Sequence, residues 1–324
     1  MTRSEHINEY FNGRGFMLFC ALMLVAVTIV ALAIGVEPTN IQGEGIFFTL
    51  QGAFIETGPV SAAINVLCLL ATGGILLALN KVFTFVRSMT HLFVSAFFLL
   101  QLAHPSGLVS LNAGTLLGLM GAVTLMPLFA SFQDSHAQRS IFLIFALVAT
   151  GVMFHYGFLM LIPVYLLGFA NMRVLDFKGV LAMLIGLVTP FWIVMGLGIA
   201  SPSDAHLPQW ALMERPQLTI QFGMALATSA IGIALMIMNL LTVVNYRMQP
   251  RVYNISLMIM LVMVIITLCL DYHDLAVFLP LLNLMVAVQM AQAYTLGASF
   301  RFRNLFVLLL MVVCLAVAAF SILP

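Results

Sequence analysis

The sequence predicts an all-α fold, a polytopic membrane helix bundle of about eleven transmembrane spans. Three observations predict it. Hydrophobic residues make up 63% of the 324 positions and charged residues only 7%, whereas a soluble domain carries roughly a quarter charged residues. Apolar runs long enough to cross a bilayer core of about 30 Å recur along the chain. The basic residues also fall in alternate connections between those runs. The connections are too short for a separate soluble domain, so residues 1–324 read as one integral membrane domain.

The polar segment Met1–Gly15 leads into Phe16–Val36, which carries no charge until Glu37. Ala31-Leu32-Ala33 resembles a signal-peptidase site, but the apolar stretch is long for a signal and reads as an uncleaved first span. Residues 37–59 form a first outer loop, in which the apolar cluster between Glu44 and Glu56 predicts a short interfacial helix. Further spans are expected at Val60–Leu79, Phe83–Ala103, Ser110–Phe132, Ser140–Phe154, Gly157–Asn171 and Gly179–Ala200. An outer loop at 201–217 precedes Leu218–Tyr246, Val252–Leu270, Leu275–Tyr294 and Leu305–Leu323. The fifth and sixth are short and divided only by His155-Tyr156, so a re-entrant hairpin is the alternative there.

With the N-terminus in the cytoplasm and the C-terminus outside, eleven of the twelve basic residues fall on inner segments, and only Arg215 lies outside. This orients the chain in a bacterial inner membrane. Seven of the eleven acids lie outside: Glu37, Glu44, Glu56, Asp204, Glu214, Asp271 and Asp274. Since acids contribute little to insertion, that bias points to chemistry on the outer face.

The candidate residues follow from that sidedness. Glu37, Glu44 and Glu56 are candidate catalytic carboxylates, able to act as a base towards a hydroxyl nucleophile. Arg215 is a candidate for two parallel hydrogen bonds to a phosphate. Asp271, His273 and Asp274, set between two long apolar runs, are candidate substrate-binding groups, as are His104, His155 and His206. The plain alternative is that each is a solvated loop or helix-end residue. The histidines come from separate loops without metal-type spacing, so no metal is expected.

In-span amides such as Gln101, Asn112, Asn239, Asn283, Gln289 and Gln292 more often bond between helices than line a pathway. Arg87 and His91 lie four apart, on one helix face near the inner boundary. The four cysteines fall inside apolar runs and read as packing residues. Prolines at 127, 163, 190 and 280 predict kinks. No span carries a central Asp, Glu or Lys and no internal repeat is evident, which disfavours an ion-coupled transporter or flippase. No glycine-rich phosphate loop or nucleophile elbow occurs, so no cofactor is expected. The near-neutral net charge gives no case for nucleic acid.

Phe158–Gly198 contains a short apolar helix, a small basic loop and a span with Thr189-Pro190-Phe191. This stretch, with Asp271–Ala293, resembles an uncharacterised bacterial polytopic membrane family of similar length, a domain of unknown function. More distantly, the layout resembles the glycosyltransferase-C superfamily of lipid-linked-sugar enzymes, whose first outer loop is acidic. That resemblance implies a transferase or polymerase acting at the extracytoplasmic face on a polyprenyl-phosphate-linked sugar. It places Glu37, Glu44 or Glu56 in the region of the catalytic acid, and Arg215 or His273 towards the lipid phosphate. This loop lacks the Asp that the superfamily commonly uses. The alternative is a non-enzymatic assembly partner or lipid-binding scaffold of an envelope complex, with membrane lipids and envelope proteins as partners.

Overall fold

The computed structural model describes residues 9–38, 45–48, 58–86, 90–134, 136–205, 220–244, 247–270, 275–296 and 300–322. Among them the regular structure is all helix, without a strand. Eleven helices carry the fold: α1 (Arg14–Ile34), α2 (Pro59–Phe83), α3 (Leu92–Leu102), α4 (Ala113–Ala130), α5 (Gln138–Phe154), α6 (Leu161–Asn171), α7 (Phe177–Gly196), α8 (Ile220–Val243), α9 (Met248–Leu270), α10 (Leu275–Leu296) and α11 (Phe300–Ile322). Eight are long and apolar enough to cross a membrane, while α3, α5 and the Tyr156–Asn171 segment are shorter.

Local chemistry sets the boundaries. Gly35 takes the left-handed conformation (φ 80°), and its N–H closes α1 on the carbonyls of Ala31 and Leu32. Asn112 caps α4 by accepting from the Thr115 N–H, and Asp176 caps α7 by accepting from Gly179.

The third expected span, Phe83–Ala103, is the main departure, since its helix is only Leu92–Leu102. Thr84 (φ 45°) ends α2, and the Asn80 side chain accepts from the Val86 N–H at 2.9 Å. Thr90 Oγ1 accepts from the Leu92 N–H and donates to Asn12 Oδ1, so the described residues 84–86 and 90–91 lie outside both helices. His91 therefore precedes the helix and does not share a helical face with Arg87, which lies outside the described residues. Eleven residues rise only about 16 Å, and every one of them is buried.

α10 is the hub. An 18-residue window within Leu275–Thr295 is 94% buried, and the helix packs against α3, α4, α8 and α9. α4 approaches through small residues. A Cβ on Gly114 would lie 2.7 Å from the Ala276 oxygen, one on Gly118 3.3 Å from Pro280, and one on Gly121 2.7 Å from the tip of Leu281. Small residues in this register let two membrane helices come together without a gap. α7, by contrast, rides on α5 through Gly186, beside Phe142 and Phe145, and leaves Leu184, Val188 and Trp192 exposed. A large exposed apolar face of this kind suits contact with lipid tails.

The contacts sort the helix ends into two groups. Tyr253 stacks on Phe129 and meets Phe83 and Phe132, Asn171 donates to the Val252 carbonyl, and Asn254 donates to that of Phe85. These contacts gather the α2, α4, α6 and α9 termini at one end, beside Lys81, Arg173 and Arg251. At the opposite end, Ser61 and Asn65 of α2 hold the 107–111 connection, Gln221 of α8 reaches Ser106, and Gly114 meets the start of α10.

Candidate functional site

At that second end a cavity of about 20 Å³ lies among α2, α3, α4, α8 and α10. Its polar wall is Gln101, His104, Asn112, Thr115 and Gln221, and its apolar wall includes Leu69, Leu279 and Pro280. The volume is enough for one or two water molecules.

Each polar group is held by local structure. The connection after α3 makes a tight 3-10 turn over Pro105–Gly107, which puts His104 against the bundle, only 6% exposed. Asn65 Nδ2 donates to the carbonyls of Gly107 and Leu108 at 2.9 and 3.1 Å, and Asn112 Nδ2 donates to Gly107 at 2.9 Å. Gln221 Nε2 donates to Ser106 Oγ at 2.7 Å and ties α8 to the same turn. Two side-chain atoms in the wall, Gln101 Nε2 and His104 Nδ1, are buried without a hydrogen-bond partner among the described residues. Burial without a countercharge pushes the His104 imidazole down to about 4, so it is neutral at pH 7.

His155 lies at the same end. It ends α5, is 1% exposed, and accepts at Nδ1 from the Gly157 N–H at 2.9 Å, which leaves its ring proton on Nε2. Burial pushes this imidazole down to about 4 as well. Gly157 in turn sits against Val277 of α10. A described part of the connection between α1 and α2, Gly45–Phe48, docks beside it. The Ile46 N–H donates to Val152, the Phe47 and Phe48 N–H groups donate to Met153, and Phe48 stacks on Phe154 with ring centres 5.3 Å apart. Gly45–Phe48 is a bend, and the rest of the segment expected as an interfacial helix lies outside the described residues.

The sequence candidates therefore divide. His104 and His155 are both buried against the first turns of α10. Glu37 stands exposed just past α1. Glu44, Glu56, Arg215, His206, Asp271, His273 and Asp274 lie outside the described residues, the Asp271–Asp274 clump directly preceding α10 in the chain. Thr115 and Gln221 were missed as site residues. A signal for Thr115 was present, since Asn112 three positions before it has the spacing of a helix cap.

The amides further along α10 are mostly used in holding helices together. Asn239 Nδ2 donates to both the backbone and side-chain oxygens of Gln289 at 2.9 Å, and Gln292 donates to Asn254. Neither pair lines the cavity. Among the described residues no three His, Cys, Asp or Glu side chains group in a way that could hold a metal.

Among the described residues, the cavity wall thus offers neutral hydrogen bonding and no formal charge. No protein-family model, curated protein or solved structure matches the chain.

Proposed function

We propose that the chain is a multi-pass protein of a bacterial inner membrane that acts, at its extracytoplasmic end, as a glycosyltransferase-C-like transferase or polymerase on a lipid-linked sugar. Eleven membrane-embedded segments alternate in direction, with the N-terminus cytoplasmic and the C-terminus outside. The short α5 and α6 segments turn back at His155, as a re-entrant pair would. The distribution of Lys and Arg supports this orientation.

One observation carries the reading. Polar groups from three separate stretches, Gln101 with His104, Asn112 with Thr115, and Gln221, meet around one cavity at the end opposite the basic connections. In this scheme the cavity takes one hydroxyl group of the sugar, Glu37, Glu44 or Glu56 is the base that activates the acceptor hydroxyl, and Arg215 steadies the lipid phosphate.

The test replaces Glu37, Glu44 and Glu56 singly with Gln and measures transfer from a lipid-linked sugar, or surface glycan in cells. The reading predicts that at least one variant loses product. Product unchanged in all three would end it.

A second reading is favoured by the neutral, water-sized cavity: a non-enzymatic scaffold or assembly partner of an envelope complex, binding lipid without turning it over. Full activity loss in a carboxylate variant counts against it, while co-purification of a stoichiometric protein partner supports it.

A further inference from the structure

We infer that the cavity at the head of α10 is a binding site for a neutral hydroxyl oxygen, from water or from a sugar, and not for an anion. The inference deepens the reading above by naming which part of a lipid-linked sugar this end would take.

The wall presents an unmatched set of hydrogen-bonding groups. Gln101 Nε2 can only donate, and His104 Nδ1 either donates or accepts according to its tautomer. Pro280 has no N–H, so the Ala276 carbonyl lacks its donor four residues on, and both residues line the cavity. In membrane helices a carbonyl freed by proline is commonly satisfied by water or a neighbouring hydroxyl. One turn deeper, Asn283 follows Leu279 by four residues and Pro280 by three, which places it on the same face of α10. It is fully buried, and neither its Nδ2 nor its Oδ1 has a hydrogen-bond partner among the described residues. Two orphaned side-chain atoms, Gln101 Nε2 and His104 Nδ1, therefore belong to residues that line a space of about 20 Å³, and Asn283 follows one turn further along α10.

The occupant must both accept and donate. A hydroxyl oxygen accepts from Gln101 Nε2 and donates to the Ala276 carbonyl, with His104 taking whichever role remains. A phosphate or carboxylate would meet a carbonyl oxygen and no cation among the described lining residues, which include no Lys or Arg.

The test is 15N NMR of the full chain in lipid nanodiscs, labelled at histidine, with the His104 signal assigned by its loss in His104→Gln. The probes are methyl α-D-glucoside and inorganic phosphate. The expected result is a His104 Nδ1 signal at its hydrogen-bonded position. If the glucoside leaves it unmoved, the hydroxyl belongs to water. If the glucoside moves it in the wild type and not in Gln101→Leu, the hydroxyl belongs to the sugar. A Nδ1 that is not hydrogen-bonded, with or without glucoside, overturns the inference, and so does a signal moved by phosphate. Failure of the transferase reading shows separately, as unchanged product in the carboxylate variants.

Discussion

Gly114 sets how closely α4 and α10 meet, and adding one methyl group there gives a graded test of the central packing. In Gly114→Ala the new Cβ would lie 2.7 Å from the Ala276 oxygen, 2.8 Å from the Val277 oxygen and 3.0 Å from Val277 Cα, all backbone atoms. Backbone cannot rotate aside, so the helices must separate until these distances reach about 3.4 Å, the start of ordinary contact. Overpacking of this sort costs about 1–3 kcal/mol, and the gap it opens lies where the cavity wall is built. Gly121→Ala meets only the tip of the Leu281 side chain at 2.7 Å, which can swing away, so it costs less. Gly223→Ala on α8 meets nothing within 4 Å and is neutral or stabilising by less than about 1 kcal/mol. Reversible unfolding in mixed detergent micelles, followed by circular dichroism, measures all three. The expected order of destabilisation is Gly114, then Gly121, then Gly223. Gly114→Ala as stable as Gly223→Ala would refute the close approach of α4 to α10.

Three further outcomes follow from the same structure. Asn254→Leu strips the Phe85 carbonyl and the Gln292 amide of their partner and should cost about 1–3 kcal/mol in the same unfolding assay. Leu184→Lys places a charge midway along the exposed face of α7; on a lipid-facing helix this should weaken membrane insertion by about 2.5–3.5 kcal/mol, read as lost integration in a translocation assay, whereas on a watered face it would change nothing. The His104 imidazole, in the connection between α3 and α4, is held down to about 4 when folded and returns to the ordinary 6.5 when unfolded. The unfolded chain therefore binds the extra proton first, so stability should fall as pH drops from 6.5 towards 4 and level off below. His104→Gln should shallow that slope in a pH series of unfolding curves.

Much of the fold was legible because lipid imposes a simple rule: a spanning segment must be long, apolar and helical. Each of the eleven expected spans has its helix in the structure. The third departs because its second half satisfies the rule, while Thr84 and Asn80 end α2 before it and Thr90 holds the Leu92 N–H just ahead of α3. Hydropathy alone also could not tell a helix facing lipid from one enclosed by protein. α3 and α7 are both apolar, yet the first is wholly buried and the second largely exposed. The site was less legible. His104 and His155 were singled out for lying outside, but their neighbours are set by which helices pack on α10. That choice rests on Gly114 and Gly157, where a missing Cβ permits contact. Gln221 was invisible as a partner because it reaches Ser106 across 115 positions of chain.

The claim that matters most is that the end carrying His104 and His155 faces away from the cytoplasm. Single cysteines at Ser203 and His136, both exposed and placed at opposite ends of the bundle, test it in a background with the four native cysteines replaced by Ala. Intact cells are treated with a membrane-impermeant maleimide. Ser203→Cys should label at once, and His136→Cys only after the membrane is opened. The reverse pattern would contradict the account.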